Sequence, residues 1–191
     1  DVLAHAIEAY VSTAASPYTD ALAIQAIKLV LENIVTAYEH GDNMEARNNM
    51  HNASALAGMA FTNASLGLIH SLAHKIGGEF GITHGLTNAI LLPYIIQFNR
   101  KSTDKVSKLE KDLGIENLSS CIKELNEKLD IPLNFKDVTE VDMNEDKFKE
   151  VLVRMSENAY NDPCTATNPR ESDPKIVEMI YTSAYYGKDI D

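Results

Sequence analysis

Residues 67–85 read Gly67-Leu-Ile-His70-Ser-Leu-Ala-His74-Lys-Ile-Gly77-Gly78-Glu-Phe-Gly81-Ile-Thr-His84-Gly85. His70 and His74 are four apart, so a helix puts both imidazoles on one face, and His84 follows after a glycine-rich turn. Working outward, the opening Asp1-Val-Leu-Ala-His5 repeats the spacing with a carboxylate and a fourth imidazole. A single i, i+4 polar pair is usually no more than a hydrogen-bonded pair. Here four of the six histidines fall in two short stretches, both in the half of the chain that is poor in charge. Unpaired imidazoles are costly to bury there. The reading is that Asp1, His5, His70 and His84 converge on one divalent cation, with His74 beside it and not bound.

Three neutral imidazoles and one carboxylate suit Fe²⁺ or Zn²⁺, and the lack of thiolates in the set argues against a structural zinc knuckle. Four protein ligands on an ion that accepts five or six leave room for a substrate oxygen, as in a catalytic site. Other metal chemistries lack their patterns. His-Glu-x-x-His is absent, and His5-x-x-Glu8 has the wrong order. So are paired Glu-x-x-His motifs and a His-Asp dipeptide. Gly77-Gly78-x-x-Gly81 is read as a helix stop rather than a nucleotide-binding loop.

The rest of the 191-residue chain frames this centre. A hydrophobic fraction of 45% and a charged fraction of 24% are ordinary for a globular domain. The net charge of −11 argues against nucleic acid and anionic membrane partners. No apolar run approaching the ~20 residues of a membrane span is read in the sequence. Cys121 and Cys164 do not make a disulfide framework, so a cytoplasmic location is expected. Residues 1–100 carry 8 acidic and 4 basic residues, against 20 and 13 in residues 101–191. The first part is read as metal-binding buried helices, the second as surface-wrapping amphipathic helices.

The pattern predicts an all-α domain. Helices are expected over 1–14, from Ser16-Pro17 to Glu39, over 44–64, over 68–76 with Gly77-Gly78 as the stop, and from Leu86 to Phe98 with Pro93 kinking it. Small residues Ala53, Ala57, Gly58 and Ala60 predict close helix approach. Ser102 is expected to cap a helix carrying Val106, Leu109 and Leu113, followed by one through Leu118, Ile122, Leu125 and Leu129. Asp142 with Glu145 reads as a variant capping box, ahead of a stripe of Phe148, Val151, Leu152 and Met155. Asp173-Pro174 starts the last helix, with Ile176, Met179, Ile180 and Ala184 inward.

Asp1-x-x-x-His5-Ala-Ile-Glu8-Ala-Tyr, Gly67-Leu-Ile-His70-Ser-Leu-Ala-His74, Thr83-His84-Gly85-x-x-Asn88-Ala89 and Cys164-Thr-x-x-Asn168-Pro169-Arg170 resemble the iron-containing (group III) alcohol dehydrogenases. The nearest kinds are lactaldehyde reductases, propanediol and butanol dehydrogenases, and the alcohol dehydrogenase half of aldehyde-alcohol dehydrogenases. The resemblance implies the helical domain of the dehydroquinate synthase-like superfold, lacking the N-terminal α/β domain that binds NAD(H) or NADP(H). It assigns Asp1, His5, His70 and His84 as ligands of Fe²⁺, with Zn²⁺ the alternative. His74 becomes a non-ligand near the nicotinamide, able to relay a proton. Phe61 and Cys164 are implied to line the substrate and nicotinamide pocket.

The implied reaction is hydride transfer between a short-chain alcohol and the nicotinamide, with the metal polarising the substrate oxygen. Expected partners are a small alcohol or aldehyde, the missing nucleotide-binding domain and further copies in a homo-oligomer. The alternatives are a zinc-dependent polyol dehydrogenase, a dehydroquinate-synthase-like lyase, or a catalytically silent helical fragment. Glu8 is expected either to orient a ligand or to cap or pack a helix, and Asn168-Pro169-Arg170 to shape a loop. His40 and His51 are read as surface residues and Cys121 as helix core.

Overall fold

The computed structural model describes residues 1–190, and among them all regular structure is helical. The α-helices are α1 (Val2–Val11), α2 (Pro17–Glu39), α3 (Met44–Ala64), α4 (Leu68–Phe80), α5 (His84–Arg100), α6 (Lys105–Leu113), α7 (Leu118–Lys128), α8 (Glu145–Tyr160) and α9 (Pro174–Tyr186). Short 3-10 turns lie at Phe135–Asp137 and Pro163–Thr167.

Helices α1, α2 and α3 pack together, and the seam is made of small residues. Ala53, Ala57, Ala60 and Ala64 on α3 and Ala23 and Ala26 on α2 are all buried. Gly58 does not share this role: a side chain there would meet nothing within 4 Å. Helix α2 is long and apolar enough by length and composition to cross a membrane, which the reading of the runs did not anticipate. It carries Asp20, Lys28, Glu32 and Glu39 along its length and lays Ala23, Ala26, Ile27 and Val30 into the core.

Helix α5 is the axis of the domain. Leu91, Ile95, Tyr94 and Phe98 are buried on it, and α4, α7 and α9 pack around it. Pro93 lies inside α5 and lacks the N–H that would bond the Ala89 carbonyl. Asn126 of α7 replaces that donor, its Nδ2 lying 2.8 Å from Ala89 O. Ser119 Oγ likewise donates to the Pro93 carbonyl at 3.0 Å. The helix thus keeps its proline without an orphaned carbonyl.

Ser16-Pro17 and Asp173-Pro174 start α2 and α9 as expected, with side-chain oxygens accepting from Thr19 N and Ile176 N. Several boundaries differ from the sequence reading. Helix α1 ends at Val11: Ser12 leaves the helix at ψ 144°, its Oγ accepting from Ala14 N at 3.1 Å and donating to Ala64 O at 2.5 Å. Helix α4 runs through Gly77-Gly78 and stops at Gly81, which is left-handed at φ 75°. Gly77 is a contact glycine: a Cβ there would lie 3.2 Å from Ile82 O and 3.3 Å from Thr87 Oγ1. Helix α5 begins at His84, not Leu86. Helix α6 is led by Asp104, with Thr103 Oγ1 accepting from Lys105 N, rather than by Ser102. Asn144 caps α8 in place of Asp142. On α9 Ile180 and Ala184 are buried as expected and Ile176 packs half-buried on the core, joined by Val177, Tyr181 and Tyr185, while Met179 is exposed.

Candidate metal centre

The centre forms where the N-terminal ends of α1, α4 and α5 meet. Helix α1 carries Asp1 at its N-cap and His5 one turn on. Helix α4 carries His70 in its first turn, and α5 opens on His84. Between α3 and α4 the chain bends by 105°. This bend aims the start of α4 at α1.

The donor atoms converge. His5 Nε2 and His70 Nε2 are 3.1 Å apart, and His84 Nε2 is 3.5 Å from Asp1 Oδ1. The ligand atoms of Asp1, His5 and His70 lie within 4.8 Å of one another. Bonds of ~2.1 Å to a tetrahedral ion separate its ligands by roughly 3.4 Å. The His5–His70 and His84–Asp1 spacings are close to that separation, while His84 stands outside the group of three whose donor atoms all lie within 4.8 Å of one another.

Hydrogen bonding decides which ring atoms are free. His70 Nδ1 lies 2.6 Å from Glu8 Oε2, and Glu8 is 1% exposed. An ionised carboxylate only accepts, so Nδ1 carries the hydrogen and Nε2 is bare. His5 Nδ1 lies 3.0 Å from the Asp1 carbonyl, which also only accepts. Its Nε2 is bare as well. Two lone pairs therefore face each other at 3.1 Å, an arrangement a cation resolves and a hydrogen bond cannot. Asn88 Nδ2 reaches Asp1 Oδ1 (2.7 Å), His84 Nε2 (3.0 Å) and His70 Nε2 (3.3 Å). Its two hydrogens face the Asp1 carboxylate oxygen, the bare His70 Nε2 and the His84 nitrogen, and its own buried Oδ1 has no partner. With two bare ring nitrogens turned toward each other beside a carboxylate, the residues fit a divalent metal.

The surroundings favour the neutral form of His5 and His84. Burial and the neighbouring His70 ring push His5 down to about 3. Burial, with His70 and His74 nearby, lowers His84. Neutral imidazole is the form that binds metal.

Glu8 also bonds Ile69 N through Oε1 at 2.6 Å. Gly67, the N-cap of α4, has no side chain to cap with, so Glu8 supplies the cap from α1. Asn168 Oδ1 assists at Leu68 N, 3.4 Å away. Asn168 is itself held by paired amide bonds with Asn99 at 2.8 and 3.0 Å. Arg170 donates to Phe98 O at 2.8 Å and stacks on the Phe98 ring, so this loop is locked against α5. Both expectations for Glu8 hold together: it orients a candidate ligand and caps a helix.

His74 lies beside the four donors, its ring stacked on that of His84 with centroids 5.7 Å apart. Its Nδ1 faces Asp162 Oδ2 at 3.1 Å. Phe61 is half-buried with its ring 4.6 Å from that of His5. Cys164 is half-buried and close to His74 and Asp162; burial and the Asp162 charge push its thiol up to about 12. His40 and His51 are exposed, and Cys121 is half-buried. Asp162, Lys75 and Asn88 were not singled out as site residues from the sequence. Asn88 lies four residues after His84, the spacing that could have flagged it. Asp162 is 88 residues from His74 and gave no local signal.

Residues 1–185 match the model of the "Fe-containing alcohol dehydrogenase family, C-terminal". The NADPH-dependent butanol dehydrogenase of Clostridium saccharobutylicum is 45% identical over all of this chain and half of its own length. The aldehyde-alcohol dehydrogenase of Streptococcus pneumoniae serotype 4 is 41% identical over 98% of this chain and 23% of its own. Among solved structures, the iron-containing alcohol dehydrogenase of Thermococcus thioreducens superposes with a TM-score of 0.89 at 37% identity, covering 98% of this chain and 49% of that one. A 1,3-propanediol oxidoreductase superposes with a TM-score of 0.86 at 34% identity, covering 97% and 50%. The chain thus spans half or less of the length of the curated relatives it matches, and it belongs to the iron-containing alcohol dehydrogenase family as a match to the family's C-terminal, helical part.

Proposed function

We propose that this chain is the metal and substrate half of an alcohol dehydrogenase that interconverts a short-chain alcohol and its aldehyde. The observation that carries the reading is the pair of bare Nε2 atoms of His5 and His70, 3.1 Å apart and joined by Asp1 and His84. Asp1, His5, His70 and His84 would hold one divalent ion, and the family's iron favours Fe²⁺ over the zinc alternative. When bound, the metal supplies electrophilic polarisation of the substrate oxygen, and a nicotinamide supplies the partner for hydride transfer.

The chain's own residues do the rest. Glu8 fixes the His70 ring so that Nε2 faces inward, and the Asp1 carbonyl does the same for His5. Phe61 presents an apolar ring against His5, suited to an alkyl substrate. Cys164, held as a neutral thiol, walls the other side near His74. His74, whose side chain is 40% exposed, is placed to move the substrate's proton toward solvent. The Asp1 and His84 side chains are 42% and 44% exposed, so the centre is open on one face. That face suits closure by a nicotinamide-binding domain, and relatives about twice as long support such a domain in the complete enzyme.

Butanol with NADP(H) is the first pair to try, after the 45%-identical butanol dehydrogenase. The complete enzyme, loaded anaerobically with Fe²⁺, should oxidise butanol. His70→Ala, with its helical content intact, should abolish turnover. Unchanged turnover in that variant would contradict the proposal.

A further inference from the structure

A second constellation lies next to the candidate metal centre: His74, Lys75, Asp162 and Cys164. Asp162 is 8% exposed and precedes the 3-10 turn Pro163–Thr167. Its Oδ1 accepts from Cys164 N at 3.0 Å. Its Oδ2 accepts from Lys75 Nζ at 2.7 Å and faces His74 Nδ1 at 3.1 Å. A metal is the first idea for His, Asp and Cys donors within 4.8 Å of one another. The charges speak against it. The Lys75 ammonium already neutralises the carboxylate, and the Cys164 thiol is held at about 12.

The same contacts have a different chemical consequence. Burial opposes ionisation of Asp162, but the Lys75 ammonium, the Cys164 N–H and the His74 ring outweigh it and hold the carboxyl at about 2. The ionised carboxylate can only accept. The His74 nitrogen facing it must therefore carry a hydrogen, and Nε2 is left as the ring's free acceptor. Stacking on His84 limits rotation of the ring.

We propose that Asp162, anchored by Lys75, is the positioning residue for His74: it fixes the Nδ1–H tautomer and so makes Nε2 the atom that exchanges the substrate's proton. The inference rests on the relay role proposed above for His74. The side-chain partners of Asp162 are His74 and Lys75, not the four candidate metal ligands, and it acts through the His74 ring. Whichever proton reaches Nε2, the Nδ1–H still faces the Asp162 carboxylate, so the ring keeps its orientation through the transfer. Because Asp162 also bonds Cys164 N, one side chain sets both the relay and the adjoining pocket wall.

The test uses the complete, metal-loaded enzyme. In the zinc-loaded enzyme labelled with ¹⁵N-histidine, the ring shifts of His74 should report hydrogen on Nδ1. A hydrogen on Nε2 alone would overturn the proposal without any variant. Asp162→Asn turns an acceptor into a donor toward the ring, and it should move the hydrogen to Nε2. That variant should lower kcat by about 10²-fold while metal content and the alcohol KM stay near wild type. The double variant His74→Ala/Asp162→Asn should be no slower than His74→Ala alone, since residues acting as a unit are not additive. Asp162→Asn with wild-type kcat, beside an impaired His74→Ala, would overturn this inference and leave the relay standing. Wild-type kcat in His74→Ala would remove the relay and this inference with it, leaving the metal reading untouched.

Discussion

Glu8 and His70 are 62 residues apart in sequence and 2.6 Å apart in space, both all but sealed from solvent. The carboxylate spends one oxygen on the ring and the other on Ile69 N. One side chain thereby ties the direction of a candidate ligand to the start of the helix that carries it.

Glu8→Gln should break this arrangement. If the amide oxygen accepts from His70, the amide nitrogen faces Ile69 N–H, donor against donor. A buried unsatisfied donor costs about 1–3 kcal/mol, and loss of an orienting partner weakens a metal site by roughly 10–100-fold. Chemical denaturation and competition with a chelator should show both losses. Wild-type metal affinity in Glu8→Gln would disprove the orienting role.

Gly67 sets how closely Glu8 can approach. A Cβ there would sit 3.0 Å from both Glu8 Oε1 and Asn168 Oδ1, two buried side chains with bonds of their own. Gly67→Ala should destabilise the fold by about 1–3 kcal/mol and weaken metal binding in parallel. Gly58→Ala, in open space within α3, should stabilise slightly. A reversal of this order in thermal unfolding would refute the packing assignment.

The Pro93–Asn126 pair makes a double-mutant cycle. Asn126→Ala should cost about 1–3 kcal/mol by orphaning the Ala89 carbonyl. In a Pro93→Ala background the residue at 93 regains an N–H that can serve Ala89, so the same change should cost less. Equal costs in both backgrounds would count against the exchange of donors.

Acid should destabilise the metal-free protein before its carboxylates titrate. His5 is pushed from 6.5 down to about 3 in the fold, while the unfolded chain takes up that proton near its ordinary value. Between these limits the unfolded state binds more protons, so stability falls as pH falls. The loss should be visible from about pH 6.5 downward, and His5→Gln should flatten it. A stability that stays flat from pH 6.5 to 4.5 would contradict the burial of a neutral His5.

The candidate ligand cluster shows in the sequence because part of it is local: Asp1 and His5 are one helical turn apart, and His70 stands one turn before the neighbouring His74. The helix starts at Ser16-Pro17 and Asp173-Pro174 were legible for the same reason, since hydroxyl or carboxylate and proline act within one turn. Asp104 and Asn144 escaped because each has a polar neighbour two residues before it that looks equally able to cap. Gly77-Gly78 was misread because glycine serves two ends, a left-handed stop and a close contact, and only the neighbours Ile82 and Thr87 tell which. The partners that hold the candidate site's rings, Glu8 at His70 and Asp162 at His74, come from 62 and 88 residues away. No periodicity carries such pairings; they exist only once α1, α4 and the turn after α8 are packed.

The central claim is that Asp1, His5, His70 and His84 form one metal site. It is tested most directly by the metal content of the complete enzyme purified anaerobically, beside His84→Ala and the remote control His51→Ala. The account predicts about one iron per chain, retained in His51→Ala and lost on dialysis in His84→Ala. Iron held equally by all three proteins, or by none of them, would contradict it.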